Sequence, residues 1–156
     1  MPRLEDLSEI ARQAYLTFPA FEHDDAPFTR PSKPLDRSRV ALVTTAGIHV
    51  RGDQPFGASD QTYRVIPANT PVGSIVQSHS SLSFDRTAFM RDANISFPIE
   101  RLRELVERGV IGSLASDCYS FMGAARVPRQ IERETGPEVA RRMLAEGVDV
   151  VLLTPT

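Results

Sequence analysis

The chain has 156 residues, of which 41% are hydrophobic and 24% are charged, and its formal net charge at pH 7 is −2. This length and composition are typical of one globular domain with a substantial core. The small net charge argues against broad attraction to nucleic acid or an anionic membrane, and no run of about 18 apolar residues is present to span a bilayer.

The cysteine and histidine content bears on compartment and metal binding. Cys118 is the single cysteine, which excludes an internal disulfide and indicates a reducing cytoplasm. The histidines, His23, His49 and His79, are far apart, and no Cys/His spacing of a metal site occurs. The N-terminus lacks the apolar stretch of a secretory signal. We therefore expect a cytoplasmic protein without a metal site.

The first part of the chain is predicted to lie outside the main domain. Apolar residues at three- and four-residue spacing predict a short helix over 4–17. Four prolines among polar residues then predict an extended arm over 18–38. We therefore divide the chain into an N-terminal helix and proline-rich arm, residues 1–38, and an α/β domain, residues 39–156.

Short apolar runs predict the strands of the α/β domain. The first core strand begins at Val40, and 63–66 and 73–77 are further short strands within a loop-rich stretch. A second core strand is predicted at 110–115, and the last strand is 150–153.

Two helices are predicted between these strands. One opens at Phe97–Pro98 and ends at Gly109, and the other opens with a capping-box pattern at 135–138 and ends at Gly147. Strands that alternate with helices in this order predict a single α/β domain with a mostly parallel sheet flanked by helices.

The turn after the first predicted strand holds the first candidate site residues. Gly47 and Gly52 have the spacing of a phosphate-binding loop, but Asp53 stands where such a loop requires lysine. Two interpretations remain open. The turn is either a plain exposed turn, or a substrate loop in which Arg51 binds a carboxylate bidentately and His49 transfers protons.

Polar residues at 79–94 form a second group, between a strand and a helix. His79 and Asp85 have the chemistry of an oriented acid–base pair or of two metal ligands. The alternative is structural, because Asp85, Asp92 and Asn94 are residue types that cap turns and helix starts, and His79 can pack in the core.

A third group, 117–123, follows the second predicted core strand. Asp117 and Tyr119 are candidate site residues because ligands bind beyond the carboxyl ends of parallel strands. Cys118 has no obvious basic neighbour to lower its pKa, so a buried, inert thiol is favoured over a nucleophile.

Because parallel strands finish on the same side of a sheet, the three groups are expected to converge in one anion-binding cleft beside Pro155 and Thr156. The alternative is that the side chains scatter over the domain. The candidate substrate-binding residues are His49, Arg51, His79, Asp85, Asp117 and Tyr119.

These segments, in this order, resemble the selenoprotein B component of glycine, sarcosine, betaine and D-proline reductases, most closely its short bacterial relatives. They span residues 40–156 and read VALVTTAGIHVRGDQPFG, YRVIP, SHSSLSFDRTAFMRDANISFPIERLRELVERGVIGSLASDCYSFMG and GVDVVLLTPT. The resemblance implies an oxidoreductase component that binds a small amine or amino acid and cleaves its C–N bond through a selenol or thiol. It also implies other reductase components as partners and a dithiol or selenol/thiol protein as reductant, without a bound cofactor.

The resemblance also implies a role for the last strand. In the family, the strand that here reads VVLLTPT leads into a turn carrying a selenocysteine or cysteine. Selenocysteine is encoded by UGA, ordinarily a stop codon. We therefore expect a truncated, inactive form in which the domain at 39–156 lacks its C-terminal segment and the nucleophile expected just after Thr156. The alternatives are a natural inactive fragment and a deliberately shortened chain.

The competing interpretation is a non-catalytic binding or regulatory α/β module that acts through oligomer or partner contacts at an exposed last strand. Apolar surface beside 150–153 favours an oligomer, most simply a two-fold dimer. A nucleotide-binding domain is supported only by the general fold. The codon after Thr156 distinguishes the reductase component from the non-catalytic module. UGA followed by related sequence supports the reductase component, and an unrelated stop codon supports the module.

Overall fold

The computed structural model describes residues 3–17, 24, 29–80, 86–123, 125 and 127–155. The chain forms two compact units, which divide between Arg30 and Pro31. In the first unit, a 3-10 turn at Leu4–Asp6 precedes helix α1, Glu9–Leu16. The predicted helix over 4–17 is therefore interrupted at Ser8, whose hydroxyl caps α1 by accepting a hydrogen bond from the backbone of Ala11.

A five-stranded sheet forms the centre of the second unit. Its strands are β1 (Arg39–Thr44), β3 (Tyr63–Pro67), β5 (Ser113–Leu114), β6 (Asp117–Phe121) and β7 (Val150–Thr154). Strand β1 pairs in parallel with β5, β6 and β7, and β3 pairs antiparallel with β6. Because β7 pairs along β1 from Val40 to Thr44, β5 and β6 share the other edge of β1, one after the other. The order across the sheet is therefore β3, β5 with β6, β1 and β7.

Helices cover both faces of this sheet. On one face, α3 (Ile99–Glu107) and the antiparallel pair β2 (Ile48–Val50) and β4 (Ile75–Gln77) bury one core cluster. The short helix α2 (Arg86–Arg91) contributes Phe89 to the margin of this cluster. On the other face, α4 (Gly136–Glu146) packs Val139 and Met143 against β6. The predicted α/β fold with a mostly parallel sheet is confirmed, and no described helix is long and apolar enough to cross a membrane.

The prediction of a core strand at 110–115 is wrong in its extent. The backbone N–H groups of Val110 and Ile111 both donate to the Leu105 carbonyl, so these β-branched residues close the end of α3. Only Ser113 and Leu114 pair with β1, and the main strand follows at 117–121. Residues 117–121, which are predicted to follow a strand, therefore form the strand itself.

The predicted capping box at Thr135 is also wrong. The Thr135 hydroxyl donates to the Gln61 carbonyl at 2.8 Å, and a π-helical turn at Ile131–Thr135 runs directly into α4. Gly136 permits this turn, since a Cβ atom there would lie 2.5 Å from the Ile131 carbonyl oxygen. The predicted end of α4 is confirmed, because Gly147 adopts a left-handed conformation with φ +78°.

Candidate functional site

The carboxyl ends of β1, β6 and β7 meet at one edge of the sheet because these strands are parallel. Backbone contacts join the residues that follow them. The Thr45 N–H donates to the Thr154 carbonyl at 3.2 Å, and the Gly47 N–H donates to the Phe121 carbonyl at 3.0 Å. Ala46 forms a bridge with Met122. We call this contiguous region the carboxyl edge.

The loop before α3 is fastened to the carboxyl edge by two hydroxyl groups. Thr44 and Thr154, which are register partners on β1 and β7, each donate a hydrogen bond of 2.9 Å to the Ser96 carbonyl. Thr44 and Ser96 are buried. The position at which the chain leaves β7 is therefore fixed against both β1 and the start of α3.

His79 lies at this same edge. Its side chain is buried, with only 1% exposed, and its backbone presses on Gly47, where a Cβ atom would lie 3.1 Å from the His79 Cα. Burial, and then the nearby Arg86 guanidinium, lower the pKa of His79 from its usual value of 6.5. The imidazole is therefore neutral at pH 7, as a proton acceptor should be.

A cleft of about 670 Å³ opens between the β2–β4 pair and α2. We call it the arginine cleft because Arg51, Arg86 and Arg91 line it. None of these guanidinium groups forms an ion pair with another described residue. Its apolar lining includes Val72, Ile75, Val76, Phe89 and Met90. Unpaired cations beside an apolar wall are suited to a small organic anion.

One end of the arginine cleft adjoins the carboxyl edge. The Gln77 side-chain amide donates to the Ala46 carbonyl at 3.0 Å, and the Arg86 guanidinium donates to the His79 carbonyl at 2.5 Å. The buried Gln77 Oε1 has no hydrogen-bond partner among the described residues. The arginine cleft therefore leads to the carboxyl edge at Gln77.

The two carboxylates in the cleft lining are already engaged. The Asn94 side-chain amide donates to Asp92 at 2.9 Å and to Glu100 at 2.7 Å. These hydrogen bonds from Asn94 lower the pKa of Asp92. The Asp92 carboxylate also accepts the Asn94 backbone N–H, and Asn94 Oδ1 accepts the N–H of Glu100, in the first turn of α3. The structural interpretation of Asp92 and Asn94 as capping residues is confirmed.

Of the five sequence-predicted site residues that the structure describes, two lie in this region. His79 lies at the carboxyl edge and Arg51 lines the arginine cleft. His49 is buried within β2 opposite Val76, with its Nδ1 2.9 Å from the Val50 carbonyl. Asp85 lies outside the described residues, as does Thr156.

The expectation that Asp117 and Tyr119 follow the end of a strand is wrong. Asp117 opens β6 opposite Pro67, so it lies at the far end of the sheet from the carboxyl edge. Tyr119 is buried beneath α4, where its ring packs edge-on against Tyr63 with centroids 5.8 Å apart. Both displacements result from the shift of the second core strand to 117–121.

Cys118 is an inert thiol, as expected. Its side chain is 2% exposed, and burial raises its pKa to about 12. A thiol with this pKa is protonated at neutral pH and is a poor nucleophile. The described residues also contain no group of three or more His, Cys, Asp or Glu side chains arranged to hold a metal ion.

Sequence reasoning missed Gln77, Arg86 and Arg91. The pattern of short strands in a loop-rich stretch predicts no helix at Arg86–Arg91, so it does not assign the arginines of α2 to a surface. A signal was available, since Arg86 and Arg91 flank the apolar residues Phe89 and Met90 in a segment without glycine or proline.

Comparison with known families gives this geometry a context. The family model described as glycine/sarcosine/betaine reductase selenoprotein B matches residues 6–156. The chain belongs to this family. It is 41% identical over 128 residues to the D-proline reductase subunit gamma of Acetoanaerobium sticklandii, an alignment that covers 81% of this chain and 52% of that protein. No solved structure matches the chain.

More distant relatives in the selenoprotein B family are also subunits of reductase complexes. The glycine reductase complex component B subunit gamma of Symbiobacterium thermophilum is 29% identical, with 95% of this chain and 35% of that protein aligned. The sarcosine reductase complex component B subunit beta of Peptoclostridium acidaminophilum is 26% identical, with 89% and 33% aligned. The chain therefore spans about half or a third of the length of these relatives.

Proposed function

We propose that this chain is a substrate-binding domain of a selenoprotein B-type reductase component, and that its arginine cleft binds the carboxylate of a small amino acid or related amine. The observation that carries this proposal is the cleft itself, in which three arginines that form no ion pair with another described residue lead to the edge that holds His79. The named relatives are subunits of D-proline, glycine and sarcosine reductases, whose substrates are small carboxylates.

The cleft has features that suit such a ligand. A guanidinium binds a carboxylate with two parallel hydrogen bonds. Arg51 follows the end of β2 that is farther from Gln77, and its backbone N–H donates to the Ser74 carbonyl, so it lies at the end of the cleft away from the carboxyl edge. The other end of the cleft, at Gln77, adjoins the carboxyl edge, because the Gln77 amide donates to the Ala46 carbonyl. The apolar side chains between them suit a methyl group or ring.

The redox group must come from outside the described residues, because the single cysteine of the chain is buried and protonated. In the proposed reaction, a selenolate or thiolate forms a bond to the carbon bearing the amine. The C–N bond breaks, and the nitrogen leaves with the electron pair and takes up a proton. A thiol partner then attacks the selenium or sulfur, the carbon is released with a proton, and the resulting mixed bond is reduced by a dithiol.

We infer that this group acts at the carboxyl edge, beside Pro155, where the two threonine hydroxyls fix the end of β7. His79 is the buried imidazole of this edge and is our candidate for exchanging the proton. We also infer that the 156-residue chain alone is inactive, and that other reductase components supply the missing group. The single buried cysteine supports a cytoplasmic location.

Calorimetric titration of the 156-residue chain with D-proline, glycine, sarcosine and betaine tests the proposal. At least one should bind, and Arg51→Gln should weaken binding by roughly 10- to 100-fold, because a charge-assisted contact is worth about 1.5–3 kcal/mol. Arg51→Lys should restore only part of the affinity, since lysine keeps the charge but not the paired geometry. Arg108→Gln, at an exposed arginine outside the cleft, is the matched control.

Two results would contradict the proposal. Binding of none of the four carboxylates, or equal effects of Arg51→Gln and Arg108→Gln, would remove the cleft as the substrate site. Reductase turnover by this chain with a dithiol donor would show that the nucleophile is misplaced, and its loss in Cys118→Ser would identify the group responsible.

The alternative function, a non-catalytic module acting through partner contacts, is favoured by one observation. Leu152 and Leu153 on the edge strand β7 are 37% and 67% exposed. A module of this kind would bind none of the carboxylates while still forming a stable assembly.

A further inference from the structure

Two arginines of the arginine cleft lie at opposite ends of β4. The Arg51 N–H donates at 2.8 Å to the carbonyl of Ser74, which directly precedes β4. The Arg86 guanidinium donates at 2.5 Å to the carbonyl of His79, which follows β4 by two residues. The three residues of β4 span about 7 Å. Arg86 therefore marks the end of the cleft at the carboxyl edge, and Arg51 marks the other end.

The arginine cleft is larger and more positively charged than one small amino acid requires. Its volume of about 670 Å³ is in the range of pockets that bury drug-sized ligands. Three arginines line it against two carboxylates, Asp92 and Glu100, so one positive charge is left over. Glycine, proline, sarcosine and betaine are zwitterions without net charge and would leave this charge uncompensated. A ligand with a second anionic group would neutralise it.

The position of Arg51 bears on the structure of the substrate. The C–N bond is proposed to break at the carboxyl edge, whereas a carboxylate bound to Arg51 lies at the far end of the cleft. In glycine, sarcosine, betaine and proline, the carboxylate is bonded to the carbon that bears the nitrogen. A substrate anchored at Arg51 therefore reaches the edge only if several carbons separate that carboxylate from the amine. Val76 on β4 and Phe89 on α2 give such a spacer an apolar wall.

We propose that the ligand of the arginine cleft is an amino diacid. Arg51 binds the carboxylate at the far end of an apolar spacer, and Arg86 binds the carboxylate beside the amine. A guanidinium has five N–H donors, so the hydrogen bond from Arg86 to the His79 carbonyl leaves others for a ligand. The amine then lies at the carboxyl edge, where the C–N bond must meet the nucleophile. This inference rests on the proposed function and names the class of its substrate.

Calorimetric titration of the 156-residue chain with matched pairs of ligands tests the proposal. Glutamate and 2-aminoadipate, in both enantiomers, are each compared with the ω-amino acid that has the same spacer but lacks the carboxylate beside the amine. The better diacid should bind at least roughly tenfold more tightly than its ω-amino acid, because it makes a second charge-assisted contact. Equal affinities within both pairs would overturn the proposal.

Variants of Arg86 separate the two carboxylates. Arg86→Gln should reduce the affinity for the diacid to that for its ω-amino acid, whose own affinity should not change. Arg86→Glu should reverse the preference, because the new carboxylate repels the diacid and attracts the ammonium group of the ω-amino acid. Arg51→Gln should weaken the binding of both ligands, and Arg108→Gln, outside the cleft, should leave both unchanged. Circular dichroism checks that each variant folds.

The outcomes separate this inference from the proposed function. Binding of none of the ligands, or binding that Arg51→Gln leaves unchanged, would remove the cleft as the substrate site and the amino diacid with it. Binding that depends on Arg51 without any advantage for the diacid would retain the carboxylate site and overturn the amino diacid alone. A preference for the diacid that persists in both Arg86→Gln and Arg86→Glu would also overturn it, because the second carboxylate would then bind elsewhere.

Discussion

Replacement of Gly47 by alanine tests the contact that shapes the carboxyl edge. Gly47 has φ +60°, a conformation that costs an alanine roughly 1–2 kcal/mol. The new Cβ atom would also lie 3.1 Å from the Cα, and 3.3 Å from the Cβ and N, of His79. These are mostly backbone atoms that cannot rotate away, and such overpacking costs about 1–3 kcal/mol. We therefore expect a total destabilisation of roughly 2–5 kcal/mol.

Gly109→Ala is the matched control for the backbone cost. Gly109 has φ +67°, close to that of Gly47, but no atom lies within 4 Å of its added Cβ. Only the conformational cost of roughly 1–2 kcal/mol should appear in this variant. The difference between the two variants isolates the contact with His79.

Urea unfolding followed by far-UV circular dichroism measures both changes, since the chain has no tryptophan. Gly47→Ala should also weaken carboxylate binding, because a shift of the His79 backbone moves the carbonyl that accepts the Arg86 hydrogen bond. Gly109→Ala should bind normally. Equal loss of stability in the two variants would refute the reasoning, since it would mean that His79 does not press on position 47.

The remaining predictions concern His79 and Cys118. The pKa of His79 in the folded protein lies below its usual value of 6.5, so the unfolded chain binds more protons between these two values. The contribution of His79 to the free energy of unfolding should therefore be complete above pH 6.5 and should fall as the pH drops toward the folded pKa. His79→Gln should flatten this part of the pH profile measured by urea titration, and an unchanged slope would argue against a buried neutral imidazole. Cys118, with a pKa raised to about 12, should resist iodoacetamide at pH 8 in the folded protein and react in 6 M guanidinium; labelling of the folded protein at the rate of a free thiol would contradict its burial.

Two of the strands could be predicted from sequence because each is a continuous apolar run. Val40 to Thr44 and Val150 to Leu153 are apolar runs bounded by polar residues, and both form parallel strands close to the expected limits. The ends of α3 and α4 were also predictable, because Gly109 and Gly147 adopt the left-handed conformation that closes a helix.

The second core strand was misplaced because two apolar segments compete for it. Val110 and Ile111 have the composition of a strand, but hydrogen bonds from both to Leu105 close α3 instead. The strand is instead Asp117–Phe121. Both of its faces are buried, so its sequence lacks the alternation of polar and apolar residues that would indicate a strand. This shift of a few residues moved Asp117 to the opposite end of the sheet.

The arginine cleft could not be predicted because it depends on a tertiary contact. Arg51 and Arg86 are 35 positions apart in sequence and line one cleft only because β2 and β4 pair and α2 packs beside them. Neither contact has a periodicity that a single sequence reveals. The contact between His79 and Gly47 could not be predicted either, because the sequence shows Gly47 only as part of a turn and not as a residue packed against the histidine.

The pairing of β1 has a consequence for biosynthesis. On one side its partners begin at Ser113, 74 positions after Arg39, and on the other its partner β7 lies 110 positions later in sequence. No partner of this apolar strand is therefore local. At a synthesis rate of about 5–20 residues per second, β1 waits roughly 5–22 s for β7 to be made. The sheet is therefore completed only after most of the chain has emerged, and the β7 side of β1 stays unpaired during this interval.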